Sequence, residues 1–406
     1  MSANVGVLTE EQDEKLEMFR TAVDDILRPE HDDYYLLRWL REKMLRTSLN
    51  WRSQIGADFL LDDYEPSEVL KKYYPGGLVG HDKEGCPVWI VPLGDLDIRG
   101  LFYSAKKTEI VRYTIRLLEM SEEDMRVKTE ELGRIIEKHV FILDMENFSV
   151  KQMAWKPALD MITQLVTLFE DNYPERLKRI FVINAPKYYP VAYALVKPFL
   201  ADETAKKIFV YGKGMWRDKL HELIDPTELP VHWGGTKVDP VDGDLRCPSV
   251  VCCGGQVPCS YYTTPSRRLS IDQNMDSVIV DKKSFHIIEL NVVEPRTMIR
   301  WEFKTENYDI AFCIYRQRTI EELKGPNSGE DEEMLVPNQR VNSHLVPEDG
   351  FVVVEKPGKY CAKFDNSYSW YRSKRVFYNI SVVPPSKDSA KAYANEDHVN
   401  EVESIK

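Results

Sequence analysis

The chain has 406 residues, of which 43% are hydrophobic and 11% aromatic, and its formal net charge is −12. This length favours two or three domains, because single hydrophobic cores stop growing well below it. The apolar content excludes an intrinsically disordered chain. The acidic charge argues against general affinity for nucleic acids, which requires a basic face.

The sequence shows no export or membrane-anchoring motif. The N-terminal stretch MSANVGVLTEEQDEKLEMFR lacks a basic region followed by an apolar run, Ser2 argues against myristoylation, and the final ESIK is not a prenylation motif. No apolar run approaches the ~20 residues that span a bilayer. We therefore expect a cytoplasmic protein, and its seven cysteines, an odd number, indicate reduced thiols rather than a disulfide framework.

Residues 1–63 are predicted to form an N-terminal helical region. Thr9 is a candidate N-cap, and apolar residues recur after it at helical spacing. A second helix is predicted over HDDYYLLRWLREKMLRTSLNWRSQIG, starting at Asp32 or Asp33.

Between residues 64 and 236, short β-branched runs alternate with longer helical segments. The runs CPVWIVPLG, KHVFILDME, RIFVINAP and KIFVYG read as strands. This order predicts an α/β domain with a mainly parallel sheet and helices packed on it. Just before the first run, Asp82 and Gly85 predict a tight turn that makes a structural hairpin.

The C-terminal part has a different pattern. Residues 237–269 are rich in Pro, Gly and Cys and indicate a linker. Six short strand-like runs then predict an all-β sandwich over residues 270–384, followed by a flexible tail at 385–406. The linker cysteines have the spacing C-x4-C-C-x5-C, which fits no common zinc motif, so we interpret them as free thiols and expect no metal; they are Cys247, Cys252, Cys253 and Cys259.

Motifs of catalysis are missing from the sequence. It contains no P-loop, no nucleophile elbow and no paired-histidine zinc motif. Asp144 ends a predicted strand, where α/β enzymes often place a carboxylate, but its sequence neighbours complete no mechanism. We interpret Asp144 as a cap of the next turn and expect neither enzymatic activity nor a cofactor.

The segment YYPVAYALVKPFL, from Tyr188 to Leu200, is unusual for a surface helix. Ten of its thirteen residues are apolar or aromatic and only Lys197 is charged, whereas a surface helix normally carries one apolar stripe. Residues 171–219 around it hold ten Lys/Arg and five Asp/Glu. This local basic excess favours an anionic lipid headgroup or membrane surface over a merely solvated mixed face.

Several motifs resemble a known family in the right order. GHDKEGCPVW, YPERLKRIFVINAP, VKPFLADETAKKI and LPVHWGG are similar to those of the CRAL-TRIO lipid-transfer family. LVPNQRVNSHLVPEDG and PGKYCAKFDNSYSW resemble a GOLD domain, and together the two resemblances cover nearly the whole chain. The family includes transfer proteins for phosphatidylinositol, phosphatidylcholine and α-tocopherol.

The resemblance implies an apolar pocket closed by a mobile gate helix at about residues 189–200. It places a phosphatidylinositol headgroup site at Glu175, Arg176, Thr204 and Lys207, although Glu175 and Arg176 are also suited to simple helix capping and pairing. The implied pocket and gate residues are Phe141, Val182, Tyr189, Val191, Tyr193, Leu195, Val196, Phe199 and Ile208.

This sequence departs from the family pattern in two places. Members that bind phosphatidylcholine carry Ser-x-Thr where this chain has His139 and Phe141, which disfavours a choline lipid and favours a sterol-, tocopherol- or isoprenoid-like ligand. A segment of the family's N-terminal region is also missing at Lys43–Met44, through natural variation or an incorrect gene model. Its loss implies two antiparallel helices that are fused or re-registered there.

The resulting hypothesis is a cytosolic protein, peripherally associated with membranes, that holds one hydrophobic lipid and exchanges it with them. Phosphatidylinositol and tocopherol-, sterol- or isoprenoid-like molecules are the candidate ligands. The alternative is a lipid-sensing adaptor that acts through protein partners of the GOLD domain in membrane trafficking or signalling.

Overall fold

A computed structural model describes residues 10–28, 31–39, 42–149, 154–262, 275–319 and 332–385. The chain divides into two compact units. The α/β unit consists of Met1–Asp62, Pro66–Leu101 and Arg112–Cys259, and the sandwich unit consists of Asp63–Glu65, Phe102–Val111 and Ser260–Lys406. In the described parts of the chain, no helix is both long enough and apolar enough to cross a bilayer.

The N-terminal region begins with three helices, α1 (Glu10–Val23), α2 (Asp33–Arg38) and α3 (Glu42–Ile55). The Asp32 carboxylate accepts a hydrogen bond from the backbone N–H of Tyr35 at 2.8 Å, which confirms the predicted start of the second helix. Thr9, the predicted cap of α1, lies outside the described residues.

The prediction of a single second helix is wrong, because α2 ends at Arg38 and its cap residue Trp39 has non-helical backbone angles. Leu36 and Leu45 are both fully buried in one cluster with Val23 of α1. On one continuous helix, residues nine apart would point in opposite directions, since each residue turns the helix by about 100°. The break between α2 and α3 therefore lets both leucines reach the same core.

The rest of the α/β unit alternates strands and helices, as the sequence predicts. Its sheet has the order β1-β2-β3-β4-β5, with β1 and β2 antiparallel and the other neighbours parallel. The elements between residues 68 and 223 are α4 (Glu68–Tyr73), β1 (Gly77–His81), β2 (Pro87–Val91), α5 (Ile98–Ser104), α6 (Lys107–Leu132), β3 (His139–Asp144), α7 (Lys156–Asn172), β4 (Leu177–Ile183), α8 (Tyr189–Val196), α9 (Asp202–Lys206), β5 (Ile208–Val210) and α10 (Arg217–Leu223).

The predicted hairpin joins β1 to β2. The Asp82 carboxylate accepts hydrogen bonds from the backbone N–H groups of Glu84 and Cys86, each at 2.9 Å. Gly85 has a φ of 83°, which a residue with a side chain rarely adopts. The turn residues read from the sequence therefore form the turn in the structure.

The two faces of this sheet are packed differently because side chains alternate along each strand. Val140 and Ile142 of β3 point into a closed core with Phe181, Trp216 and other large side chains. Leu143 of β3 points to the opposite face, where it lines an open cavity. The face that carries Leu143, called the open face below, is therefore the candidate ligand-binding face of the sheet.

Part of the stretch expected to be a linker packs on the α/β unit. Val251 is fully buried in the core of the closed face, and Cys252 exchanges two backbone hydrogen bonds with Gly76 at 2.9 and 3.1 Å. A Cβ atom on Gly77 would lie 2.0 Å from the carbonyl oxygen of Val250. The close approach of the two segments thus requires glycine.

The sandwich unit consists of two four-stranded antiparallel sheets with the orders β10-β9-β12-β7 and β11-β8-β13-β6. Phe303, Phe312 and Phe364 meet between the sheets with ring centroids 4.7–5.2 Å apart. The strands are β6 (Asp276–Val280), β7 (Phe285–Val292), β8 (Thr297–Thr305), β9 (Ile310–Gln317), β10 (Glu332–Val341), β11 (Glu348–Val354), β12 (Gly358–Asp365) and β13 (Lys374–Val383).

The all-β architecture is confirmed, but the sequence pattern did not reveal β6 and β10. Both lie at sheet edges. β10 carries charged and amide side chains and Pro337, is mostly exposed, and has two irregularities in its pairing with β9. Edge strands bury little, so they lack the alternation on which strand prediction depends.

Candidate functional site

An apolar cavity of about 230 Å³ lies within the α/β unit, on the open face of the sheet. Its floor comes from β3, β4 and β5, and its walls come from α7, α8 and the segment around β2–α5. The lining residues are Leu93, Gly94, Leu96, Ile98, Leu143, Met145, Phe148, Ser149, Ala158, Ile162, Val166, Ile180, Val182, Tyr189, Ala192, Tyr193, Val196, Leu200 and Ile208. Such a lining offers dispersion contacts and almost no polar partner, which suits a hydrocarbon.

Helix α8 closes the cavity with one of its faces. Tyr189, Ala192, Tyr193 and Val196 line the cavity, and their spacing of three and four residues places them on one side of the helix. Pro190 lies in its first turn, where a missing N–H costs no helical hydrogen bond. The helix ends in a 3-10 turn at Lys197–Phe199 that contains the second proline.

The opposite face of α8 is also apolar and is open to solvent. Val191 is 61% exposed, Leu195 38% and Phe199, in the following turn, 47%. An exposed group of large apolar side chains on a short helix is a signature of an interaction surface. The sequence-based observation that this segment lacks a polar face therefore holds in three dimensions.

The phenol rings of Tyr189 and Tyr193 stack at the inner face of α8, with centroids 6.0 Å apart. Burial raises the pKa of Tyr189 to about 12, with a smaller contribution from Tyr193. The phenol therefore stays neutral at physiological pH and keeps charge out of the cavity.

The predicted pocket residues separate into two groups. Five of them line the cavity, namely Val182, Tyr189, Tyr193, Val196 and Ile208. The other four lie outside the lining: Val191, Leu195 and Phe199 on the solvent side of α8 and the turn after it, and Phe141 on β3, two positions before Leu143. The resemblance marked the gate segment without distinguishing its inner face from its outer face.

Other lining residues were missed by sequence reasoning although a signal for them exists. Leu143 follows Phe141 by two positions on β3 and so shares its face. Ala158, Ile162 and Val166 recur every four residues on α7, which is the spacing of one helix face. Leu93 and Leu96 lie at the two ends of a single 3-10 turn, which is too short for a periodic pattern to identify a facing side chain.

The four predicted headgroup residues do not form one group. Lys207 and Glu175 are 3.4 Å apart at a partly exposed position, and Thr204 lies on α9, one turn before Lys207. Arg176 instead pairs with Glu122 of α6 and donates to the carbonyl oxygen of Glu137 at 3.1 Å. The backbone of Glu175 is left-handed, with a φ of 58°. Although Glu175 and Arg176 are adjacent in sequence, their side chains contact different partners.

Arg176 borders a second pocket of polar character. Arg52 makes a two-pronged contact with Glu119 at 2.8 Å for each nitrogen, and Tyr173 donates to Glu119 at 2.6 Å. Burial raises the pKa of Glu122, and the nearby Arg176 acts against that rise. These ion pairs and hydrogen bonds offset most of the cost of burying the charges, and they join α3 to α6 and to the segment just before β4.

His139 begins β3 and lies on the same face of the sheet as Phe141 and Leu143; we call this part of the open face, outside the cavity lining, its deep end. The His139 ring is fully buried against Phe141 and Phe169, at centroid distances of 4.7 and 5.6 Å. Its Nδ1 lies 3.3 Å from the Ser121 hydroxyl. Burial, with a smaller effect of Arg176, lowers the pKa of His139 to about 3, so the ring is neutral in the folded protein.

Asp144 caps the turn that follows β3, as predicted. Its carboxylate accepts hydrogen bonds from the backbone N–H of Glu146, the Asn184 amide and the Trp233 indole, at 2.8–2.9 Å. Carboxylate and imidazole atoms of Asp144, Glu146 and His232 approach one another within 4.8 Å. The three donors to Asp144 give this buried carboxylate a structural role in joining β3, β4 and the 3-10 turn at Val231–Trp233.

The four cysteines predicted as free thiols are spread along the extension that follows α10. Cys247 is buried, Cys252 and Cys253 are partly buried, and Cys259 is exposed. Burial raises the pKa of both Cys252 and Cys253. Thiols with a raised pKa are weak nucleophiles and weak metal ligands.

Comparison with known proteins identifies relatives of this chain. A family model described as "CRAL/TRIO domain" matches residues 71–235. The Caenorhabditis elegans protein named Protein ctg-1 is 30% identical over 363 residues, which cover 86% of this chain and 91% of that protein. Among solved structures, "Crystal structure of Sfh5" covers 59% of this chain and 91% of its own chain, with 18% identity and a TM-score of 0.47.

Proposed function

Because the chain belongs to the CRAL-TRIO family, we propose that its α/β unit holds one hydrophobic lipid in the cavity under α8 and exchanges it with membranes. The family consists generally of lipid-binding and lipid-transfer proteins rather than enzymes. The observation that carries the proposal is that α8 is apolar on both sides. Its inner face lines the cavity and its outer face is exposed.

The energetics of carrying a lipid explain both faces of the helix. Each CH2 group transferred from a bilayer to water costs ~0.8 kcal/mol, so a chain of ~16 carbons costs on the order of 13 kcal/mol. Hydrogen bonds to a headgroup contribute only ~1–3 kcal/mol each and cannot offset that. The lid must therefore exclude water from the whole chain, and its outer face must tolerate the membrane when it opens.

In this proposal, α8 and the turn that follows it move to open and close the cavity. Pro190 and the Lys197–Pro198 junction bound the helix and are the proposed hinges. Lys187 and Lys197 are exposed beside the apolar outer face. Each cation near an anionic bilayer contributes ~1 kcal/mol of attraction, so the lid would open where the membrane holds it.

The ligand class follows from the two ends of the open face. Phe141 and the neutral His139 make the deep end apolar, which disfavours a charged choline headgroup there. At the surface, Lys207 with its partner Glu175 offers a cation and a hydroxyl acceptor to an inositol phosphate, with Thr204 on the same turn. The candidate ligands are therefore phosphatidylinositol and neutral sterol-, tocopherol- or isoprenoid-like lipids.

The test compares two alanines on opposite sides of α8. Ala192 is buried and lines the cavity, whereas Ala194 is exposed. Mass spectrometry of the natively purified chain should find one hydrophobic molecule per protein, and Ala192→Phe should exclude it by filling the cavity. Ala194→Phe should retain the lipid and its movement between vesicles.

Two results would contradict the proposal. One is a natively purified chain that carries no lipid and moves none between vesicles. The other is Ala192→Phe with lipid content and exchange equal to those of Ala194→Phe, because the lipid would then lie elsewhere.

A further inference from the structure

Four turns meet at one end of the sandwich unit, which we call the turn end: residues 281–284, 306–309, 342–347 and 366–373. They lie together because β6, β8, β10 and β12 all finish at this end, and antiparallel partners start there. The turn of residues 293–296, between β7 and β8, lies at the opposite end. This gives the unit two chemically distinct ends that can be compared directly.

The turn end displays two large aromatic side chains. Trp370 is 65% exposed and Tyr371 is 89% exposed, next to each other in the turn between β12 and β13. Exposed aromatic residues of this size usually serve an interface, since burying either would stabilise a protein by ~1.5–3 kcal/mol.

The turn that carries them is held in place by a buried amide. Asn366 is fully buried, and its side-chain NH2 donates to the carbonyl oxygens of Val280, Asp281 and Arg372 at 2.9–3.1 Å. The backbone N–H of Lys283 donates to the carbonyl oxygen of Ser369 at 3.0 Å. The aromatic side chains are thus exposed on an anchored turn, which lowers the entropy lost on binding.

Cations lie against two aromatic rings of the turn end, those of Trp370 and Tyr308. The Lys283 ammonium lies 3.8 Å from the centre of the Trp370 ring, and the Arg372 guanidinium lies 4.2 Å from the centre of the Tyr308 ring. Lys282 beside them is exposed. The turn end therefore combines amphipathic rings with cations, the pair of residue types that marks a membrane–water interface.

The acidic residues of the turn end are engaged by other groups. Asp309 pairs with Arg340 and Lys374, and Glu306 lies 3.6 Å from the Arg375 side chain. Asp281 accepts a hydrogen bond from the Ser373 hydroxyl. Cations from adjoining strands thus offset Asp309 and Glu306, which leaves the cations beside the rings for an anionic partner.

We propose that the turn end of the sandwich unit docks on an anionic phospholipid bilayer. Trp370 and Tyr371 enter the headgroup layer, and Lys282, Lys283 and Arg372 contact lipid phosphates. This docking surface lies on a different unit from the lipid cavity and does not require the cavity to be filled. It gives the chain a membrane contact that persists while the lid is closed.

The experiment measures sedimentation of the full chain with vesicles of phosphatidylcholine alone or of phosphatidylcholine with phosphatidylserine. The wild type should bind the phosphatidylserine vesicles more tightly, and the difference should shrink at high salt. Lys282→Gln with Lys283→Gln should weaken binding roughly 25-fold, about fivefold for each cation. Trp370→Ala with Tyr371→Ala should weaken it at least tenfold.

The matched control lies at the opposite end of the same unit. There, Val293, which is 73% exposed, and the exposed Arg296 supply an apolar side chain and a cation without an aromatic ring. Val293→Ala with Arg296→Gln should leave vesicle binding unchanged. Binding by the turn-end variants equal to that of the wild type would overturn the proposal, as would an equal loss in the control, and circular dichroism checks that each variant is folded.

Failure of this proposal and failure of the lipid-cavity proposal are distinguishable. Trp370→Ala with Tyr371→Ala should still co-purify with lipid, because the cavity is untouched. Ala192→Phe should still sediment with the phosphatidylserine vesicles. Loss of sedimentation in Ala192→Phe, with normal sedimentation of the turn-end variants, would assign the membrane contact to the lid instead.

Discussion

The two faces of the α/β sheet differ in how their apolar side chains are packed. On the closed face, Phe181, Trp216 and Trp233 pack against Val140 and Ile142 in one buried cluster. On the open face, a cavity of about 230 Å³ remains. An empty cavity costs stability at ~24 cal/mol per Å³, so this one would cost on the order of 5 kcal/mol.

The comparison extends to the helices that cover each face. On the closed face, α10 buries Leu220 completely. On the open face, α8 leaves Val191 and Leu195 in solvent while Ala192 faces inward. A helix that only stabilised the fold would carry polar side chains on its outer face. The open face is therefore packed less densely than the closed face and has an apolar outer surface, and a ligand-carrying protein requires both features.

Adjacent residues of β3 test the comparison most strongly. Ile142 is fully buried on the closed face, whereas Leu143 borders the cavity. Ile142→Ala should lower the free energy of unfolding by about 3–4 kcal/mol, and Leu143→Ala by about 1–2 kcal/mol, because part of its surroundings is already empty. Urea unfolding of both variants measures the difference. Equal losses would mean that the two faces are packed alike.

The contribution of His139 to the pH dependence of stability tests whether water is excluded from the deep end of the open face. The unfolded chain binds a proton at this residue below about pH 6.5, whereas burial keeps the folded form neutral down to a pKa of about 3. Stability is therefore lost as the pH falls below about 6.5. Between pH 7 and pH 5 the wild type should lose about 2 kcal/mol more than His139→Phe.

The measurement is urea unfolding of both chains at the two pH values. Phenylalanine is the matched replacement because His139 already packs between Phe141 and Phe169. If the two chains lost the same stability, the imidazole would be protonated in the folded state and water would reach the deep end.

The outer face of α8 gives the next prediction. Leu195→Glu places a charge on the surface proposed to enter the membrane and should slow lipid exchange between vesicles at least tenfold, as burying the charge is unfavourable. Val127→Glu on α6 is the control, since Leu195 and Val127 are both 38% exposed. Both variants should unfold within about 0.5 kcal/mol of the wild type. Unchanged exchange by Leu195→Glu would mean that the lid lies elsewhere.

Local patterns made much of this fold predictable. The strands β2 to β5 follow from their β-branched runs, and the hairpin follows from Asp82 and Gly85, because these signals act within a few residues. The break between α2 and α3 did not follow, since it depends on Leu36 and Leu45 meeting the same distant core. β6 and β10 escaped prediction because exposed edge strands carry no burial pattern.

The candidate site was predictable in part for a similar reason. The apolar composition of residues 188–200 marks the segment proposed as the gate, but helix phase decides that Tyr189 lines the cavity while Val191 faces solvent. Arg176 is next to Glu175 in sequence, yet its partner Glu122 lies on α6, more than fifty residues away. Only the tertiary structure separates a structural ion pair from a surface pair in the same motif.

The surface pair gives the smallest expected effect. Lys207→Ala should weaken binding of phosphatidylinositol roughly threefold to tenfold and leave a sterol- or tocopherol-like ligand unaffected, because a charge-assisted hydrogen bond at a partly exposed site contributes little more than 1 kcal/mol. Lys213→Ala, at an 87% exposed side chain outside this pair, is the control. Competition between the two lipid classes for the purified chain measures the ratio. An equal loss for both classes would assign Lys207 to closing the lid, and no loss for either would remove it from the headgroup site.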